Sequence, residues 1–139
     1  MKLIELKAFG TYAAVRPTPE TLERLADWAE DNGLKLEDDL HVTLLYSRVV
    51  KIVEVKPTIY SAIPLSATPL GTAALVVHLF CPELSGRHTE LIAQGHTHDY
   101  PNFDCHMTLI KKHSGVLPKG LTKLPTLQFS GEYAESLSD

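Results

Sequence analysis

LHVTLLYS, residues 40–47, and CHMTLI, residues 105–110, decide how this chain folds. Both are short aliphatic runs with β-branched residues, the composition of half-buried strands. Side chains alternate along a strand, so His41, Thr43 and Leu45 fall on one face of the first, with Val42, Leu44 and Tyr46 on the other. In the second, His106 and Thr108 again share a face. A histidine and a threonine therefore project side by side at two places far apart in the chain.

Working outward from these stretches, the flanking sequence repeats one order of elements. Before the first, GTYAAVR from Gly10 to Arg16 has the pattern of a buried strand, and TPETLERLADWAEDNG from Thr18 to Gly33 that of a helix. Thr18 suits the N-cap, Pro19 the first helical position and Glu20 the first turn; Leu22, Leu25, Ala26 and Ala29 make an apolar stripe, and Gly33 closes the end. Before the second, TAALVVHLF from Thr72 to Phe80 is almost continuously apolar, as a central strand is, and a helix follows over Ser85 to Gln94, with Leu91 and Ile92 inward and Gly95 as its stop. The polar loop HTHDYPNFD then leads into CHMTLI. Tyr12 lies 29 residues before His41, and Val77 lies 29 residues before His106. Two pseudo-repeats, roughly 10–47 and 72–110, would bring their reactive strands to a shared cleft if they packed about a pseudo-twofold axis.

Between the repeats, KIVEVK and TIYSAI are expected as short strands, and PLSATPLG, residues 64–71, has the Pro and Gly punctuation of a loop. The alternation in TLQFSGEYAESL near the carboxy terminus predicts one more strand. With 139 residues, 44% apolar and 22% charged, the chain has the size and composition of one soluble globular domain spanning 1–139. A net charge of −4 opposes binding to a long polyanion, which needs a lysine and arginine surplus, so a nucleotide ligand is expected to be small. Cys81 and Cys105 lack the spacing of a zinc site or a disulfide framework, consistent with a reducing cytosol. The amino terminus is too interrupted by charge for a signal peptide, and no apolar run has the length of a membrane span.

Cleavage of a phosphodiester by an internal hydroxyl needs a base for the attacking oxygen and an acid for the leaving one. Histidine, with an ordinary pKa of about 6.5, serves as either at neutral pH, and each such proton transfer contributes roughly 10²- to 10⁴-fold. His41 and His106 are the candidate pair. Thr43 and Thr108, two residues along each strand, would hold the non-bridging phosphate oxygens. Such chemistry requires no metal and no cofactor.

The two motifs His41-Val42-Thr43-Leu44 and His106-Met107-Thr108-Leu109 resemble the signature of the 2H phosphoesterase superfamily. GTYAAVR, DNG before LHVTLLYSR, HDYPNFDCHMTL and EYAESL together cover most of the chain and are similar to one branch, the phage anti-CBASS nucleases, which destroy the cyclic oligonucleotide messengers of bacterial immunity. That resemblance implies an α+β fold of bilobal 2H type, two pseudo-symmetric halves whose antiparallel sheets line a central cleft with helices outside. It implies metal-free cleavage of 3′,5′ linkages in cyclic di- and trinucleotides by 2′-hydroxyl attack, in the cytoplasm of a bacterial host. His41 and His106 would be the acid and base, Thr43 and Thr108 the phosphate clamps, Tyr12 a substrate contact on the first strand, and Glu132 a contact to a base. A tyrosine on so apolar a strand is equally at home in a core with its hydroxyl satisfied, and a carboxylate near a terminus often simply faces water. Members of this branch stack a base on a tryptophan from the middle loop, whereas the single Trp here is Trp28, on the first helix, where it reads as packing.

The other histidines are assigned no metal. His96, His98 and His113 lie in a polar loop and a turn without a suitably spaced Cys or carboxylate, and His78 alternates into a buried strand as a hydrogen-bonded core residue. Arg48, Lys51, Lys111 and Lys112 follow the motif strands and are expected to be solvated charges. The expected partner is a small cyclic nucleotide, with no long nucleic acid, membrane or obligate protein partner. An RNA-end enzyme acting on 2′,3′-cyclic phosphates or 2′,5′ linkages is the nearest alternative, and a nucleotide-sequestering protein without catalysis is the third.

Overall fold

The computed structural model describes residues 8–70, 74–99, 103–110 and 124–138. The expected Lys111, Lys112 and His113, and the start of the strand at Thr72, lie outside these described residues. The fold is α+β: β1 (Ala8–Pro17), α1 (Pro19–Asp31), β2 (Val42–Ser47), β3 (Tyr60–Leu70), β4 (Ala74–Phe80), α2 (Pro82–Ala93), β5 (His106–Ile110) and β6 (Leu127–Ser138). Neighbouring strands are all antiparallel, in the closed order β1-β2-β5-β4-β3-β6. Among the described residues, neither helix has the length and apolarity to cross a membrane.

Helix α1 starts as its sequence predicts, with Pro19 in the first turn and the Thr18 hydroxyl accepting from the Thr21 amide at 3.3 Å. Asn32 caps its end and Gly33 takes a φ of +66°, the left-handed conformation glycine adopts without strain. The buried face, however, is Thr21, Leu25, Trp28 and Ala29, while Leu22 is 42% exposed and Ala26 faces outward. The reason is a polar anchor: the Gln128 amide at the start of β6 donates to the Thr21 hydroxyl at 3.0 Å, which turns the helix so that Thr21 and the large indole face the sheet. Trp28 thus packs into the core as expected. Helix α2 begins at Pro82, three residues before the sequence placed it, and buries Leu84, Arg87, His88 and Leu91, leaving Ile92 outside.

Two other expectations are corrected. Residues 51–59 form no strand, and the segment from Pro64, read as a loop, is strand as far as Leu70. Among the described residues, strand β3 pairs with β6 only over Tyr60 to Ala62, and from Ile63 onward it pairs with β4 alone. Pro64 and Pro69 therefore sit where one edge carries no partner strand among the described residues, the place where a missing N–H is tolerated. In β2, pairing with β1 slips between Ala13 and Ala14, leaving Leu44 as an extra residue. Leu44 and Leu45 are consequently both buried, and Tyr46, expected opposite to Thr43, joins its face and meets the Tyr12 ring edge-on at 6.1 Å.

The core gathers the inner positions of the strands, among them Val15, Val42, Val77, Met107, Leu127 and Phe129, with Leu25, Trp28, Leu84 and Leu91 from the helices. At roughly 1.5–3 kcal/mol for each large apolar side chain buried, this cluster is the main driving force for the fold.

Candidate active site

Val42 of β2 stands opposite Met107 of β5, and both side chains are fully buried on the core face. One step either way along this antiparallel pair sets His41 opposite Thr108 and Thr43 opposite His106. By alternation all four turn away from the core, and all four are partly exposed. The side chains predicted from the two motifs are thus brought to one half-open face, each histidine diagonal to the other, with side-chain exposures of 27% for His41 and 37% for His106.

Both histidines are oriented by the same device. His41 Nδ1 lies 3.0 Å from the Asp39 carbonyl oxygen, and His106 Nδ1 lies 2.8 Å from that of Asp104. A carbonyl only accepts, so in each ring Nδ1 carries the proton and donates it, which leaves Nε2 as the atom presented for chemistry. The Asp39 and Asp104 carboxylates stand 3.9 and 3.7 Å from the same Nδ1 atoms. Sequence reading singled out neither aspartate, although the spacing Asp-x-His-x-Thr-Leu recurs in both stretches and was the signal available.

Tyr12 joins this face. Its hydroxyl is 2.9 Å from Thr43 Oγ1, and its ring meets His41 edge-on at 6.3 Å. Burial raises the Tyr12 phenol above its ordinary range, with Thr43 and Tyr133 as opposing hydrogen-bond influences, so it stays protonated at neutral pH. Tyr133, also hydrogen-bonded to Tyr12, is pushed up to about 12, chiefly by burial. Arg16 lies over the Tyr133 ring at 3.9 Å and reaches Asp39 Oδ1 at 3.2 Å.

His78 is not the core residue its apolar strand predicts. It pairs directly with His106 across β4 and β5, and its ring stands on the same face, 6.4 Å from that of His106. Its Nδ1 is 3.4 Å from Asp104 Oδ1.

Glu132 is not brought to this face. Its side chain is fully buried; Arg87 Nε and Nη2 each donate to it at 2.9 Å, and the Lys56 amide donates at 3.0 Å. The cause is a bulge where β6 pairs with β1: Ala14 faces Tyr133 and Arg16 faces Ser130, so β6 carries an extra residue, and Gly131 takes a φ of +60°. Simple alternation from Phe129 would turn Glu132 outward; the bulge turns it inward and puts Tyr133 on the reactive side. The Glu132 carboxylate, in turn, raises the Arg87 guanidinium above its ordinary value.

The loop histidines close an edge of β2. Beyond the Val42 and Met107 pair, β2 bonds to the chain after α2 instead of to β5: Tyr46 N donates to His98 Nδ1 at 3.2 Å, Asp99 N to the Tyr46 carbonyl at 2.9 Å, and Arg48 N to the Thr97 hydroxyl at 3.0 Å. His88 Nδ1 donates to the Leu44 carbonyl at 2.6 Å and its ring stacks on Phe103 at 4.4 Å. His96 is buried, not surface-exposed, with Nδ1 3.1 Å from Ser47 Oγ. Arg48 is largely exposed, as expected, and pairs with Asp99 at 2.9 Å. A cavity of about 310 Å³ bounded by Thr11, residues 50–53 and residues 134–136 of β6 includes none of the motif residues in its lining.

The family described as Anti-CBASS protein Acb1 matches residues 9–139. A protein of that name from Vibrio phage KVP40 is 36% identical over 117 residues, covering 78% of this chain and 78% of its own length. Another from Acinetobacter phage Ac42 is 34% identical over an alignment of 149 positions that covers 99% of this chain and 96% of that protein. A third, from Sphingomonas paeninsulae, is 32% identical over 121 residues, 73% of this chain but 19% of that longer protein. The chain belongs to the anti-CBASS protein Acb1 family.

Proposed function

We propose that this protein is a phosphodiesterase that counters CBASS immunity by opening 3′,5′ linkages of cyclic di- and trinucleotide messengers, with His41 and His106 as its acid and base and no metal. The observation that carries this reading is the Val42 and Met107 register, because it sets two His-Thr pairs on one face with both Nε2 atoms available. Membership of the anti-CBASS family, with relatives in two phages, supports this reading, in which the protein would act in the cytoplasm of an infected cell. The two stretches β1-α1-β2 and β4-α2-β5 suit the duplicated plan of a 2H phosphoesterase domain.

In the proposed reaction one imidazole takes the proton of a ribose 2′-hydroxyl through Nε2 as the oxygen attacks the adjacent phosphorus. The other, protonated, gives its Nε2 proton to the departing 5′-oxygen. The product is a 2′,3′-cyclic phosphate, and water opens it with the two roles exchanged, regenerating the starting protonation states. Thr43 and Thr108 donate to the non-bridging oxygens, where negative charge accumulates. Tyr12, bonded to Thr43, fixes that hydroxyl and offers a ring edge at the substrate side.

The test is incubation with cyclic GMP-AMP and cyclic tri-adenylate in EDTA, beside RNA ending in a 2′,3′-cyclic phosphate and a 2′,5′-linked dinucleotide. Linear products from the cyclic messengers, lost in His41→Ala and in His106→Ala, are expected. Intact messengers after long exposure to folded protein would reject the proposal, and turnover of the RNA ends alone would assign the site to RNA-end chemistry.

A further inference from the structure

The two halves of the site share a feature that lies outside both motifs. Val15 pairs with Val42 across β1 and β2, so the next residue, Arg16, stands opposite His41; on the other side His78 pairs with His106 across β4 and β5. Arg16 and His78 therefore hold the same position, each on the outer neighbour of a motif strand and level with its histidine. Each also makes the same bond. Arg16 Nε donates to Asp39 Oδ1 at 3.2 Å, and His78 Nδ1 to Asp104 Oδ1 at 3.4 Å. These are the aspartates whose backbone carbonyls accept from His41 and His106 at 3.0 and 2.8 Å.

We infer that Arg16 and His78 are equivalent positioning residues, one for each half, which hold the Asp-x-His turn and through it the direction in which the histidine Nε2 points. Resting on the reaction proposed above, this deepens it by giving each histidine a dedicated anchor. Tying the carboxylate to the neighbouring strand restrains the backbone of the aspartate, and with it the carbonyl that orients the imidazole. A planar N–H donor on the carboxylate supplies that restraint. Two different residue types, guanidinium and imidazole, converge on one geometry because the task needs only a directional N–H aimed at Oδ1.

Stability does not account for the arrangement. Asp39 and Asp104 are each 61% exposed and Arg16 is 51% exposed, and ion pairs so open to solvent contribute little to folding. An ångström of displacement at a reacting group, by contrast, can cost on the order of a hundredfold in rate.

The experiment compares wild type, His78→Ala, His78→Arg and Arg16→Ala. On the substrate-free protein, ¹⁵N correlation spectra of the imidazoles report which nitrogen holds the proton in each ring. His78→Ala is expected to move the His106 signals away from the pure Nδ1–H form and leave those of His41 in place, with Arg16→Ala doing the reverse. With cyclic GMP-AMP, His78→Ala is expected to lower kcat about tenfold while KM changes less than about twofold. His78→Arg, which recreates the arrangement of the other half, should recover most of that loss. His78→Ala is the cleaner variant, because Arg16 also covers Tyr133. Melting temperatures should stay within about 2 °C of wild type, as expected for exposed pairs. Unchanged ring signals, signals of both histidines moving together, or a fall in melting temperature without a fall in kcat would overturn the assignment. If wild type turned over no cyclic nucleotide, the proposed reaction would fail while the ring spectra still decided the anchoring role.

Discussion

Thr43 and Thr108 differ in one respect at the level of single residues: Thr43 Oγ1 is bonded to the Tyr12 hydroxyl, and no such phenol is bonded to Thr108 among the described contacts. Removing either hydroxyl as Thr→Val keeps the strand shape and should lower kcat about 10²- to 10³-fold, the usual effect of deleting one donor to a developing anion. Tyr12→Phe should act on the same term but more weakly, since it loosens the Thr43 hydroxyl without deleting it. Single-turnover rates for the three variants, on protein shown to be folded, would check this order. Glu132 calls for the opposite expectation. Its carboxylate is fully buried against an Arg87 side chain that is 3% exposed, so Glu132→Ala removes two of that guanidinium's bonds and leaves it only the half-exposed Glu90 carboxylate at 2.6 Å and the Glu54 carbonyl at 2.8 Å, which should cost about 3 kcal/mol. Urea unfolding would register that loss as a lower midpoint. The activity of molecules that remain folded should be close to wild type, whereas a direct substrate contact would raise KM.

At the level of elements, the chain after α2 works as a substitute strand for β2, and its histidines make that substitution sensitive to pH. His98 accepts the Tyr46 amide at Nδ1, which requires the neutral ring, and burial lowers its pKa, with His88 adding to the effect. Burial also lowers that of His96, with Lys51 contributing. Because both folded-state values lie below the unfolded value of about 6.5, the unfolded chain binds more protons in that window. Stability should therefore be level above about pH 7 and fall as pH drops through 6.5 toward the folded values. Urea midpoints at pH 8, 7, 6 and 5 would show it, and a midpoint that rose on acidification would refute the role of these rings. The close approach of β1 to β2 has its own requirement: a Cβ at Gly10 would lie 2.0 Å from the Ser47 carbonyl oxygen, so Gly10→Ala must push the strands apart. Where local pattern governs, the sequence was a good guide: the Thr18 cap, the Gly33 stop and the alternation around His41 and His106 all follow from neighbours within a few residues. Legibility ended where distant strands intervene. The bulges at Leu44 and Gly131 reversed the faces of Tyr46 and Glu132, the open edge of β3 admitted Pro64 and Pro69, and His78 acquired a role only through its register with His106.

On the scale of the whole molecule, the reactive face depends on a narrow seam. Within β6-β1-β2 and within β3-β4-β5 the strands are joined over long registers, whereas among the described residues β2 meets β5 only at Val42 opposite Met107. Those two side chains lie directly beneath the four His and Thr side chains and are fully buried. Their packing therefore sets the spacing between the two histidines, across which the proposed reaction would hold one phosphate. Met107→Ala removes most of a buried side chain at this seam and should cost about 2–5 kcal/mol, depending on how far the strands collapse into the space. If the seam spaces the catalytic pair, collapse must also misplace it, so kcat should fall at least tenfold, by about the margin expected for sub-ångström displacement, even under conditions where the variant is fully folded. Met107→Leu, which nearly conserves volume, should cost less than about 1.5 kcal/mol and retain most of kcat. Urea unfolding and turnover measured on the same preparations separate the two effects. A Met107→Ala protein that lost stability yet kept its kcat would mean that the histidines are spaced by something other than this pair.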